Sequence, residues 1–282
     1  MRIAAGAVLV AAAALAWSAG AQPAAAPEVT LTRLDCGVTK APRDIAAFND
    51  AHALDGVKRA LVTSCYLIRH GNEYLLWDTG YPAAMRTGPN APLAPHPSVV
   101  EQLRTLKVDP AKVGRVGISH YHSDHTGQAA DFPNATLLIG QGDWDALKAT
   151  RPDAPPRMGA PDPKPLAHWL TGAGKAEPVT GDKDVFGDGS VVMLDMPGHT
   201  PGHHALLVRL KGRGAVLLSG DAAHVTSNYD TNGVPTFNTN RADSLASLDR
   251  LKATAKTLKA TVVIQHEPDD VTKLPVFPAA AD

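Results

Sequence analysis

The chain has 282 residues, 27 basic and 28 acidic side chains, and a formal net charge of −1 at pH 7. No basic stripe accompanies that balance, which argues against a nucleic-acid partner. A hydrophobic fraction of 44% suits a globular core, and no linker or composition break divides the chain into two domains.

Read in order, the chain opens on a segment that does not belong to the fold. Arg2 precedes an apolar run, residues 3–17, and Ala19-Gly20-Ala21 follows it. That is the pattern of a secretory signal peptide, 1–21, too short for a comfortable membrane span. It predicts cleavage after Ala21, a periplasmic or secreted protein, and no stable membrane association afterwards; an uncleaved anchor is the alternative. Residues 22–28 read as a flexible lead-in to one domain over 29–282. Alternating or continuous apolar runs predict strands at 29–34, 61–68, 74–77, 113–119, 135–139, 191–194, 204–210, 215–218 and 261–264. Helical spacing predicts helices at 98–106, with Ser98 as N-cap, at 143–150 and at 243–259. Two sets of strands with helices outside them suggest an α/β four-layer sandwich.

Cys36 and Cys65 each lie in an apolar, strand-like setting. In an exported protein they can pair, or they can stay as buried free thiols, and spacing alone does not decide between these. Two loops are proline-rich: 82–97 carries five prolines and 152–165 carries six. Each reads either as surface connection or as a wall of a substrate cleft. The 41–56 loop, with Phe48, reads as a cover over a site or as a homodimer contact.

The densest chemistry is His120-Tyr121-His122-Ser123-Asp124-His125, directly after the strand at 113–119. With 12 histidines in 282 residues, a chance H-x-H-x-D-H is expected only about 0.002 times, so a motif reading is warranted. Imidazoles and a carboxylate together suit a borderline metal such as zinc. Three more candidates follow: His199 in Met196-Pro197-Gly198-His199-Thr200-Pro201-Gly202-His203, Asp221 in Leu217-Leu218-Ser219-Gly220-Asp221, and His266 after the strand at 261–264. Each lies at a strand end or in the turn beyond it, where a sheet-based enzyme places its site.

This order of ligands resembles the metallo-β-lactamase superfamily of dinuclear metallohydrolases, from about residue 31 onward. Within it the chain is most similar to the N-acyl-homoserine lactonases, quorum-quenching enzymes. The likeness rests on Cys65-Tyr66-Leu67-Ile68, Trp77-Asp78-Thr79-Gly80, the segment from Ser119 to Gly127, Pro197 to His203, Gly220-Asp221-Ala222 and Pro235-Thr236-Phe237-Asn238. The resemblance implies a single αββα domain and two Zn2+ per chain, with other divalent metals as alternatives. It gives one metal His120, His122 and His199, the other Asp124, His125 and His266, and lets Asp221 bridge them. It implies hydrolysis of a cyclic ester by attack of a metal-bridging hydroxide, with Asp124 relaying a proton to the leaving alkoxide. It makes Asp78 a residue that orients a ligand, a role His203 either shares or replaces with packing.

One position departs from the family. The resembled lactonases carry Tyr three residues after the bridging Asp, to hold the lactone carbonyl, and this chain has His224, whose N–H is also a donor. Tyr229 is a second candidate for that hydroxyl. Competing readings are an exported metallo-β-lactamase, a glyoxalase II-type thioesterase or other esterase, and a non-catalytic metal-binding relative. The bridging Asp221 speaks against the first. Only sixteen residues after His266 speak against the second, and the intact ligand set speaks against the third.

Overall fold

The computed structural model describes residues 27–89, 91–151 and 159–282. The expected signal peptide, most of the lead-in and the first part of the second proline-rich loop lie outside the described residues. The chain begins with β1 (Val29–Val38), followed by a small ribbon of β2 (Arg43–Asp44) and β3 (Lys58–Arg59). Then come β4 (Val62–His70), β5 (Glu73–Trp77), β6 (Arg115–Ile118), β7 (Thr136–Gly140) and β8 (Ala176–Val179). The second half supplies β9 (Lys183–Asp184), β10 (Val191–Asp195), β11 (His204–Leu210), β12 (Gly214–Leu218) and β13 (Thr261–Val263). One sheet runs β1-β4-β5-β6-β7-β8 and the other β13-β12-β11-β10-β9.

Alternation along each strand makes the layers. On β4, Tyr66 and Ile68 turn inward with Leu31, Trp77, Met193, Leu206, Val208 and Leu218, so the core between the sheets is apolar from both sides. Cys65 and Leu67, one residue out of phase, face outward with Val116, Ile118 and Leu137. Against that outer face pack α1 (Val99–Thr105), α2 (Gln141–Ala149) and α3 (Ala167–Leu170) through Val99, Leu103, Leu147 and Trp169. The outer face of the second sheet, Leu194, Leu207 and Leu217, is covered by Leu248, Leu251 and Ala255 of α4 (Arg241–Leu258). The result is the expected α/β sandwich of four layers, αββα.

The ends of the elements explain the departures from expectation. The last helix begins at Arg241, two residues before the expected start at 243, because the Asn240 side chain caps Ala242 N and Asp243 N. The helix at 98–106 is closed by a capping box between Ser98 and Glu101. Strand β8 was hidden in the sequence by Pro178, which a strand tolerates at the edge of a sheet. Cys36 and Cys65 form a disulfide with Cα atoms 5.8 Å apart, which settles the alternative that the sequence left open. The first proline-rich loop lies against the end of β1, where Leu93 is buried and pairs with Thr39. No helix among the described residues is long and apolar enough to cross a membrane.

Candidate metal centre

Strands β5, β6 and β7 run parallel, and so do β12 and β13 in the other sheet. Their C-terminal ends therefore collect at one edge of the sandwich, and the candidate ligands sit in the loops that leave them. His120 Nε2, His122 Nδ1 and His199 Nε2 converge on one point, separated by 2.9, 3.0 and 3.2 Å. Asp221 Oδ2 closes that group at 3.3 Å from His199 Nε2 and 3.6 Å from His120 Nε2. Asp221 Oδ1 faces the other way, 3.5 Å from His125 Nε2 and 3.2 Å from His266 Nε2. Asp124 Oδ2 completes that second group at 3.7 Å from both imidazoles. All seven residues named from the sequence thus meet in two adjoining clusters that share Asp221.

The outward nitrogens show which inward ones carry lone pairs. His125 Nδ1 donates to Asp78 Oδ2 at 2.8 Å, His199 Nδ1 to Asn238 Oδ1 at 2.8 Å, and His266 Nδ1 to Val62 O at 2.8 Å. His122 Nε2 donates to Gly159 O at 3.1 Å. Ser119 Oγ donates to Asp78 Oδ2 and so accepts from His120 Nδ1 at 3.1 Å. Every one of these rings spends one N–H outward and turns its other nitrogen inward, where its lone pair is available to a metal once that nitrogen is deprotonated. Buried Asp221 Oδ1 and His125 Nε2 have no hydrogen-bond partner among the described residues. Groups of this kind are costly without a partner, and a cation between them supplies one. The residues therefore fit a metal centre.

A family model described as the metallo-beta-lactamase superfamily matches residues 59–266, well over half of the chain. The chain belongs to the metallo-β-lactamase superfamily. Among curated proteins it is similar to the N-acyl homoserine lactonase AttM of Rhizobium radiobacter, 34% identical over 185 residues, which is 60% of this chain and 64% of that protein. The chain thus spans just under two thirds of that relative's length. It is also similar to the N-acyl homoserine lactonase AiiA of Bacillus thuringiensis subsp. kurstaki, 26% identical over 226 residues, 76% of this chain and 84% of that one. Among solved structures, an N-acyl homoserine lactone hydrolase with N-hexanoyl-L-homoserine at its catalytic metal centre superposes with a TM-score of 0.73 at 24% identity, over 90% of this chain and 99% of that one. The dizinc quorum-quenching lactonase AidC superposes with a TM-score of 0.66 at 17% identity, over 90% of each chain. Both share the fold.

The two clusters differ in their electrostatics. Burial lowers the pKa of His122 and takes His120 and His199 well below the usual imidazole range, so these rings stay neutral. Burial also opposes charge on His125, but Asp78, Asp124 and Asp221 outweigh it and lift its pKa to about 10. His266 is raised in the same way, with burial overcome by Asp221 and Asp124. Burial opposes charge on Asp221 too, yet the surrounding imidazoles, His224 first, hold its carboxyl well below the usual range. A proton and a metal thus compete for the Asp124/His125/His266 side, whereas the other side is already deprotonated.

His224, set apart from the superfamily's ligands by its position in the sequence, is buried inside this centre. Its Nε2 lies 3.0 Å from Asp221 Oδ2, and its ring sits 5.5 Å from that of His266, 5.1 Å from Phe48 and 5.6 Å from Phe237. Phe48 comes from the 41–56 loop, which reaches the site through this ring contact. Tyr229 is elsewhere, packed on the outer side of the second sheet with Lys252 over its ring, so it supplies no hydroxyl to the centre. His203 does more than pack: its Nδ1 donates to Met196 O and its Nε2 accepts from Asp221 N at 2.8 Å, holding the shared carboxylate by its backbone. Sequence reasoning missed Asp143, which accepts from Tyr121 N, Thr200 Oγ1 and Gly202 N. Its only sequence signal was an acid near a helix start.

Proposed function

We propose that the chain is an exported dinuclear zinc hydrolase that opens the lactone ring of N-acyl-homoserine lactones. The observation that carries this reading is the pair of ligand clusters joined by Asp221, with one carboxylate oxygen turned to each. The lactonase names of the relatives support the substrate class, and the dizinc relative and the product-bound hydrolase support the metal and the place of reaction. Export rests on the signal pattern at 1–21, and the Cys36–Cys65 disulfide supports it, since such bonds persist in oxidising compartments.

His120, His122 and His199 would hold one cation, Asp124, His125 and His266 the other, with Asp221 between them. Bound there, two cations supply a water acidified to near neutrality and a Lewis acid for the carbonyl. The protein's own residues orient and protect. Asp78, Asn238 and Val62 O fix the ring planes of His125, His199 and His266. Asp124, with 18% of its side chain exposed, is more accessible than Asp221 at 4%, so its carboxylate is placed to pass a proton to the leaving alkoxide. His224 lies at the same edge and supplies an N–H near the shared carboxylate. Phe48 and Phe237 pack edge to face beside His224 and offer an apolar surface to an acyl chain.

Incubation with an N-acyl-homoserine lactone should yield a product heavier by one water, which recyclises on acidification. Release of a free fatty acid would refute the reading. Efficient cleavage of cephalosporins by a protein inert to lactones would favour the β-lactamase alternative.

A further inference from the structure

The His120/His122/His199 cluster draws its ligands from loops of two different sheets. His120 and His122 follow β6 of the first sheet, and His199 follows β10 of the second. Something must set the distance between those loops to a fraction of an ångström, because a metal tolerates little error in its ligand geometry. A direct tie between them is the backbone bond from His204 N to Ser119 O at 2.9 Å. The other tie is a side chain. Asp143, in the first turn of α2, is fully buried. Its Oδ2 accepts from Tyr121 N at 3.0 Å and from Thr200 Oγ1 at 2.8 Å, and its Oδ1 accepts from Gly202 N at 2.7 Å. Tyr121 stands between His120 and His122 in the chain, and Thr200 follows His199.

The backbone around it is shaped for this contact. A Cβ at Gly142 would lie 2.7 Å from the Pro201 backbone, and a Cβ at Gly202 would lie 2.4 Å from Asp143 N. Only glycine lets the start of the helix press on the loop this closely. The three donors converge on one carboxylate. The Asp124/His125/His266 cluster is held by Asp78 and Val62 O instead, and Asp143 does not reach it.

We infer that Asp143 is a positioning residue for the His120/His122/His199 half of the centre, its carboxylate clamping the two loops at the separation that a metal there needs. The inference rests on the two-metal reading and adds a residue to it that holds no metal and touches no substrate. It predicts a selective defect. Asp143→Asn keeps the shape but turns an N–H toward one of the three donors. Loss of such a ligand-orienting contact typically weakens metal binding about 10–100-fold.

The test is zinc affinity, measured by competition with a chromophoric chelator on the folded protein. In a His266→Ala background, which disables the other half, Asp143→Asn should weaken the remaining site at least about tenfold. In a His199→Ala background the same change should leave the remaining site within about twofold. Thr200→Val removes only one of the three donors and covers the case in which Asp143→Asn fails to fold. It should give a smaller loss in the same half, restored by Thr200→Ser. Equal weakening in both backgrounds, or a lower melting temperature with zinc affinity unchanged in both, would overturn the inference. If the unaltered chain binds one zinc instead of two, the two-metal reading fails. The response of that one site to Asp143→Asn then still decides the role of Asp143.

Discussion

At the scale of single residues the centre is a problem of matching lone pairs. Five imidazoles turn their second nitrogens inward because five separate acceptors take their outer protons, and one carboxylate is shared between the clusters. His224 enters this arrangement without being one of the expected ligands. Its Nε2 lies 3.0 Å from Asp221 Oδ2 and its Nδ1 has no hydrogen-bond partner among the described residues. On the proposed function, an N–H there would steady charge on the shared carboxylate and on oxygen developing beside it. Removing one such donor typically costs about 10²–10³ in rate, so His224→Ala should lower kcat/KM on a good lactone at least about tenfold. Zinc content should stay near that of the unaltered protein, and steady-state kinetics alongside metal analysis reads both. An alanine variant with full activity on every lactone tried would make His224 a bystander.

The residue scale also shows what a sequence can and cannot reveal. The seven clustered residues were legible because imidazoles and carboxylates recur after predicted strands and four fall within six positions. Asp78 was legible from its tetrapeptide, Trp77-Asp78-Thr79-Gly80. Asp143 was not, because its partners lie 22, 57 and 59 residues away and an acid near a helix start is ordinary in itself. Nor was Val62, whose contribution to His266 is a backbone carbonyl and carries no side-chain signal at all.

At the scale of elements, the disulfide and the turn after β5 form one unit. Cys36 on β1 and Cys65 on β4 are 29 positions apart and join neighbouring antiparallel strands. Cys36 also packs under Gly80, where a Cβ would come within 2.8 Å of the sulfur and where φ is +68°. That turn carries Asp78, itself left-handed at φ +58°, an uncommon conformation for a side-chain-bearing residue. The bridge thus limits the unfolded chain and backs the turn that orients His125. A native bridge closing a loop of this length is worth about 2–4 kcal/mol. The paired change Cys36→Ala and Cys65→Ala should therefore lower the denaturant midpoint by an equivalent amount, with the fold retained. An unchanged midpoint would mean that the bridge adds nothing to the packing around it. Element identity was mostly legible from alternation, and β8 escaped because Pro178 masks a strand at an edge.

At the scale of the whole molecule, the sandwich exists to bring two sheets' strand ends to one edge. The first sheet sends His120, His122, Asp124 and His125 from a single loop, and the second sends His199, Asp221 and His266 from three. The apolar layer between the sheets, from Leu31 and Trp77 to Met193 and Leu218, sets their spacing, and the centre lies where that layer ends. This architecture was legible from the two series of strands with helices outside them. The tie between the series was not, since it depends on contacts across the sheets. The central claim is that the edge holds two cations bridged by Asp221. Elemental analysis of the folded protein after remetallation with zinc tests it most directly, with Asp221→Asn beside it. The account predicts two equivalents of zinc per chain, falling to one or none in the variant. A ceiling of one equivalent in the unaltered protein, or a variant that keeps both, would contradict it.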